Sequence, residues 1–136
     1  MKAIAYALMV RDDQVLLQLR QGTGFMDGYW SAAAAGHVEP GESAAAAAVR
    51  EASEELGVLI EPTDLRLLTV SARHQNHDGS AKTYEDHFFV ARNWSGTPLI
   101  REPQRAAELR WFGTGKLPSN TVPHELLALG RLVGSE

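Results

Sequence analysis

Five of the 17 acidic residues in this 136-residue chain, Glu39, Glu42, Glu51, Glu54 and Glu55, fall between Gly36 and Val58. One arginine, Arg50, stands among them. Wound onto a helix at about 100° per residue, Glu51, Glu54 and Glu55 share one face, and Arg50 lies at its edge. An isolated Glu-x-x-Glu-Glu is most often a solvated helix face. Here the like charges three and four residues apart each cost roughly 0.2–0.5 kcal/mol. They also crowd the C-terminal half of the helix, where the macrodipole disfavours anions. Arg50 alone offsets them. A hard divalent cation reverses that balance, because clustered carboxylate oxygens are the ligands that Mg²⁺ or Mn²⁺ takes.

The elements that must position this cluster are legible around it. Ser43 is a good N-cap, Ala44 to Leu56 are strong helix formers, and Gly57 sits where a left-handed C-terminal cap belongs. Ala45, Val49, Ala52 and Leu56 form one stripe and read as the core face. Ala44 and Ala47 fall on the acidic side, where small side chains leave room for a ligand. Residues 3–10 are apolar and suit a strand buried on both faces, returning across the polar turn 11–14 into a strand at 15–20. Residues 21–28 hold three glycines and read as a loop, and 29–35 as a short extended piece. Further strands are expected at 65–72 and 83–92, with residues 74–79 near the turn between them. A last strand is expected at 108–112 and a closing helix at 124–133. Strands and helices mix without regular alternation, which predicts an α+β fold with a mixed sheet, as one domain over residues 1–136.

Composition narrows the function classes. Hydrophobic residues make up 44 % and charged residues 22 %, as in ordinary globular domains. Nothing approaches 18 consecutive apolar residues, so no membrane span is expected. The N-terminal apolar run ends in charges and suits a strand better than a signal peptide. With no cysteine, disulfides, thiolate zinc sites and cysteine nucleophiles are all excluded, and a cytoplasmic location is expected. A net charge of −4 argues against a nucleic-acid partner.

The spacing is more specific than the composition. Gly36 is followed by five residues, then Glu42, seven residues, and Arg50-Glu51-Ala52-Ser53-Glu54-Glu55-Leu56-Gly57-Val58. This pattern, over residues 36–58, resembles the box of the Nudix hydrolases, and the chain is similar to their small MutT-like members. The resemblance implies an α/β/α sandwich with a mixed sheet and a loop–helix–loop that binds Mg²⁺ and a diphosphate. It makes Glu51, Glu54 and Glu55 metal ligands, joined by the backbone carbonyl of Ala35. It gives Glu51 the general-base role of some members, with Arg50 and Glu54 as its catalytic companions, and it implies hydrolysis of a nucleoside diphosphate linked to another group. Glu42 can reach back to Arg50. Arg50 projects about 100° from Glu51 and is expected to act through Glu42 or a backbone carbonyl rather than pair with Glu51 directly. The alternative is a Nudix-fold nucleotide-binding or regulatory module without turnover, and the intact box favours the enzyme. An isoprenoid-diphosphate isomerase is set aside for want of a cysteine.

Outside the box, the expected additional acid is Glu102, in the Pro-flanked loop Arg101-Glu102-Pro103, ahead of Glu108 and Glu85. Phe25, Tyr29 and Trp30 could stack a base, although Trp30 is more readily an aromatic plug. Asn120 is a candidate for reading a purine edge, against its reading as a turn or cap residue. Gly36 and His37 are candidates for contacting phosphate. The expected partner is a nucleotide-type small molecule, with no nucleic acid and no membrane, and a homodimer is left open.

Overall fold

The computed structural model describes residues 2–77 and 80–134. In chain order it contains β1 (Lys2–Arg11), β2 (Gln14–Arg20), β3 (Trp30–Ala32), β4 (Ala34–His37) and helix α1 (Ala44–Leu56). A 3-10 turn at Pro62–Asp64 leads into the hairpin of β5 (Leu65–His77) and β6 (Ser80–Ala91). Then come β7 (Ala106–Gly113), a second 3-10 turn (Pro123–Glu125) and helix α2 (Leu126–Gly130). The sheet is mixed. β1 and β6 run parallel from Lys2↔Tyr84 to Met9↔Ala91, and the other strand pairs are antiparallel.

β1 explains the layers. Its side chains alternate between two cores. Ala5, Ala7 and Met9 join the core beneath α1, while Ile4, Tyr6, Leu8 and Val10 join the one beneath α2. A strand with helices on both faces needs an unbroken apolar run, which residues 3–10 supply. One edge of β1 is shared. Residues Ile4–Ala7 pair with β4, and Val10 and Arg11 pair with β2. The sheet therefore forks along this edge, and a cleft opens between the two branches.

Helix α1 has the expected ends. Ser43 Oγ accepts a hydrogen bond from the Ala46 amide (3.0 Å), and Gly57 takes the left-handed conformation with φ 72°. Its core face overlaps the expected one in Ala52 and Leu56 but is shifted. Ala47, Ala48, Ala52 and Leu56 are buried, while Ala45 and Val49 are only partly so. The centre of the buried side is turned by about 50°, which brings Glu51 and Glu55 inward over β4. A run of alanines offers too little contrast in hydrophobicity to fix the rotation. Ala47 packs into the core and leaves no ligand space of its own.

Two other elements differ in extent. The β5–β6 hairpin is paired as far as His77↔Ser80, beyond the expected 65–72 and 83–92. Of residues 74–79, expected near its turn, 74–77 belong to β5, and 78 and 79 lie outside the described residues. The closing helix, expected over 124–133, is a 3-10 turn opened by Pro123 and then a short α2. Among the described residues, no helix is long and apolar enough to cross a membrane.

Candidate active site

The cleft at the fork has a volume of about 680 Å³ and is lined from β1, β2, β3, β4, α1, β5 and the closing segment. Its two ends differ in chemistry. At one end, α1 lays its carboxylates onto β4. A Cβ built on Gly36 would overlap the carboxylate of Glu51, so only glycine lets that side chain lie against the strand. Glu55 Oε2 accepts a hydrogen bond from the Ala35 amide (3.0 Å). Burial pushes the Glu55 carboxyl up to about 8; the Ala35 amide pulls the other way, and the charges of Glu51 and Glu102 add to the rise. Burial also raises Glu51.

Arg50 organises the cluster. Its Nε donates to Glu42 Oε2 (2.8 Å), and its Nη2 donates to Glu42 Oε1 (3.0 Å) and to the His37 carbonyl (3.0 Å). This bidentate fork fixes the guanidinium, and the hydrogen bond from Arg50 is the main reason the Glu42 carboxyl is held at about 2. The remaining nitrogen, Nη1, donates to Glu51 Oε2 (3.1 Å) and Glu54 Oε1 (3.2 Å). The contact to Glu51 corrects the expectation from helical angles. The long arginine side chain, bent back by Glu42, crosses the gap that separates their Cβ directions.

Glu102 lines the same end of the cleft. Its loop is tied to the end of α1, with the Leu99 amide donating to the Leu56 carbonyl and the Arg101 amide to the Glu55 carbonyl, each at 3.1 Å. Those carbonyls have no partner within the helix, so the loop caps it. Glu108, by contrast, is exposed and bound to Arg110 (2.8 Å), and Glu85 bonds His87 (2.7 Å). Among the described residues, no three carboxylates or imidazoles already surround a common point. The donor set still fits a hard cation. Glu51, Glu55 and Glu102 crowd one wall, and the carboxyl of Glu55 is pushed toward neutrality by burial and by the charges of Glu51 and Glu102.

The other end holds a polar network that no local pattern in the sequence announces. Tyr6 donates to Asp86 Oδ1 (3.2 Å) and its oxygen also meets His124 Nε2 (3.2 Å). Arg73 grips Asp86 through Nε (2.8 Å) and Nη2 (3.0 Å). Glu125 is buried and accepts from the Ala32 amide (2.7 Å). Burial pushes its carboxyl up to about 7 and the His124 ring down to about 4. The only forewarning in sequence was a tyrosine inside an otherwise apolar strand.

Several candidates find their places. Gly36, His37 and Phe25 line the cleft. Asn120 does not. Its Nδ2 donates to the Gly28 carbonyl (2.8 Å) and ties down the loop before β3. Trp30 is a buried plug packed edge-on against Phe112 (4.8 Å). Glu42 acts on the site through Arg50.

Residues 1–129 match the NUDIX domain, and the chain belongs to the Nudix family. Its fold is that of the MutT branch: a MutT NUDIX hydrolase from Burkholderia pseudomallei superimposes with a TM-score of 0.85, at 29 % identity and covering 96 % of each chain. The chain is 30 % identical to the oxidized purine nucleoside triphosphate hydrolase of Danio rerio over 86 % of its own length and 69 % of that protein's. It is also 30 % identical to a Nudix hydrolase of Listeria innocua, over 76 % of its own length and 58 % of that protein's.

Proposed function

We propose that this chain, working as one Nudix domain, hydrolyses a diphosphate linkage in a nucleoside triphosphate or another nucleoside diphosphate derivative. The observation that carries the reading is the Arg50 fork, which holds Glu51 against Gly36 while Glu55 docks on the Ala35 amide. Charge is thereby concentrated at one end of a cleft large enough for a nucleotide. Glu51, Glu54, Glu55 and Glu102, with the Ala35 carbonyl, are the groups that would hold Mg²⁺ or Mn²⁺. When bound, the cation neutralises the charge of the diphosphate and polarises its oxygens.

The protein's own groups do the rest. Arg50 keeps the Glu51 carboxylate in place, so that it can take a proton from the attacking water. The water oxygen bonds to one phosphorus, the bridging P–O bond breaks, and the leaving phosphate departs with the bridging oxygen. A triphosphate gives a nucleoside monophosphate and pyrophosphate. The test is a panel of nucleoside triphosphates and nucleoside diphosphate derivatives with Mg²⁺ and with Mn²⁺, reading released phosphate and pyrophosphate. Turnover of at least one nucleotide is expected. Tight nucleotide binding without turnover would favour the binding-module reading instead.

A further inference from the structure

The far end of the cleft is built with a fixed hydrogen-bond direction. Asp86, gripped by Arg73 at two points, can only accept. Tyr6 must therefore spend its single O–H on Asp86 Oδ1, since two oxygens 3.2 Å apart without a proton between them would repel. The Tyr6 oxygen is then an acceptor toward His124, and the proton of that contact belongs to Nε2. Tyr6 cannot turn to escape this, because its ring is buried and stacked on Phe88 (4.2 Å, 18°). Burial keeps the His124 ring neutral, so a proton on Nε2 leaves Nδ1 with a lone pair.

A second observation points to a ligand. The Ser31 hydroxyl also lines the cleft; it is buried and has no hydrogen-bond partner among the described residues. A buried hydroxyl left unpaired costs roughly 1–3 kcal/mol, which marks this end of the cleft as short of one polar partner. Phe25, with its ring centroid 6.0 Å from that of His124, adds an aromatic surface at the same end.

We propose that His124 determines specificity: positioned by Tyr6 and Asp86, its Nδ1 accepts a hydrogen bond from an exocyclic amino group on the organic part of the substrate. This rests on the hydrolase reading for the identity of the substrate, but not for the tautomer. Tyr6 and Asp86 are positioning residues.

The tautomer is read directly by long-range proton–nitrogen NMR of the whole protein at neutral pH. The Nε2–H form is expected in the wild type, and a mixture of the two forms in Tyr6→Phe. A wild-type His124 protonated on Nδ1 would overturn the proposal. Kinetics supply the second arm, with GTP against ITP, ATP against purine riboside triphosphate, and CTP against UTP. For the best-used base, loss of the amino group should raise KM about three- to tenfold with kcat little changed. His124→Leu should bring that ratio close to one, and His124→Asn, which keeps an acceptor, should restore part of it. Equal discrimination in wild type and His124→Leu would also overturn the proposal. Failure to hydrolyse any nucleotide would refute the hydrolase reading alone, because the NMR measurement does not depend on turnover.

Discussion

Replacing Gly36 with alanine separates the position of Glu51 from the stability of the fold. The added Cβ would occupy the place of the Glu51 carboxylate, and the atoms it meets first all belong to that flexible side chain. Glu51 must swing away and surrender its contact with Arg50 Nη1 (3.1 Å). That pair is half-buried, with side-chain exposures of 24 % and 14 %. Losing a charge-assisted hydrogen bond of this kind costs roughly 1.5–3 kcal/mol. Alanine returns about 0.4–1 kcal/mol by restricting the unfolded chain. The net loss is about 1–2 kcal/mol, or a Tm lower by roughly 3–8 °C at this chain length. A catalytic carboxylate displaced by about 1 Å costs on the order of 100-fold in rate. Gly36→Ala should therefore fold, melt slightly early and lose about 100-fold in kcat, measured by thermal denaturation and pyrophosphate release. On a Glu51→Gln background it should cost little further rate. Near-full kcat in Gly36→Ala, or an undiminished second loss on that background, would refute the reasoning.

Other outcomes follow from the same geometry. Excess chelator should abolish turnover, and Mg²⁺ or Mn²⁺ should raise Tm in wild type but much less in Glu55→Gln, as read by thermal shift. Arg50→Lys keeps the charge but loses the fork on Glu42 and the His37 carbonyl, so kcat should fall nearly as far as in Glu51→Gln, and the double variant should lose far less than the product of the two, by steady-state kinetics. The raised pKa of Glu125 means that the folded chain holds a proton which the unfolded chain has released between about pH 4.3 and 7. Its contribution to stability is thus full below about pH 4.3 and is lost as pH rises through 7, whereas the lowered His124 makes stability rise between about pH 4 and 6.5. The two windows overlap and oppose each other, so in denaturant titrations Glu125→Gln should unmask a rise in stability between about pH 4 and 6.5 that is nearly cancelled in the wild type.

The acidic end of the site was legible because its parts are close in sequence. Caps, helix and spacing all lie within residues 36–58, where local propensity and pattern agree. The rotation of α1 was not legible, since Ala45, Ala47 and Ala48 are identical in sequence and only contact with β4 tells them apart. The Asp86–Tyr6–His124 chain was hidden for a different reason. Its members are 80 and 118 residues apart from Tyr6 and meet only through the parallel pairing of β1 with β6 and the return of the closing segment. The bond from Asn120 to the Gly28 carbonyl was hidden in the same way, since 92 residues separate the two.

The fork along β1 divides labour between the two branches. The carboxylates sit on β4, whereas Ser31 belongs to β3 and Glu125 is docked on the β3 amide of Ala32. The strands of these branches pair with different stretches of the same edge of the sheet, β4 with Ile4–Ala7 and β2, which carries β3, with Val10 and Arg11, so the carboxylate end and the far end of the cleft are built from separate pairings. Lineages sharing this scaffold can therefore drift in which molecule they select while the bond-breaking apparatus stays constant. The architecture makes substrate choice an interchangeable part.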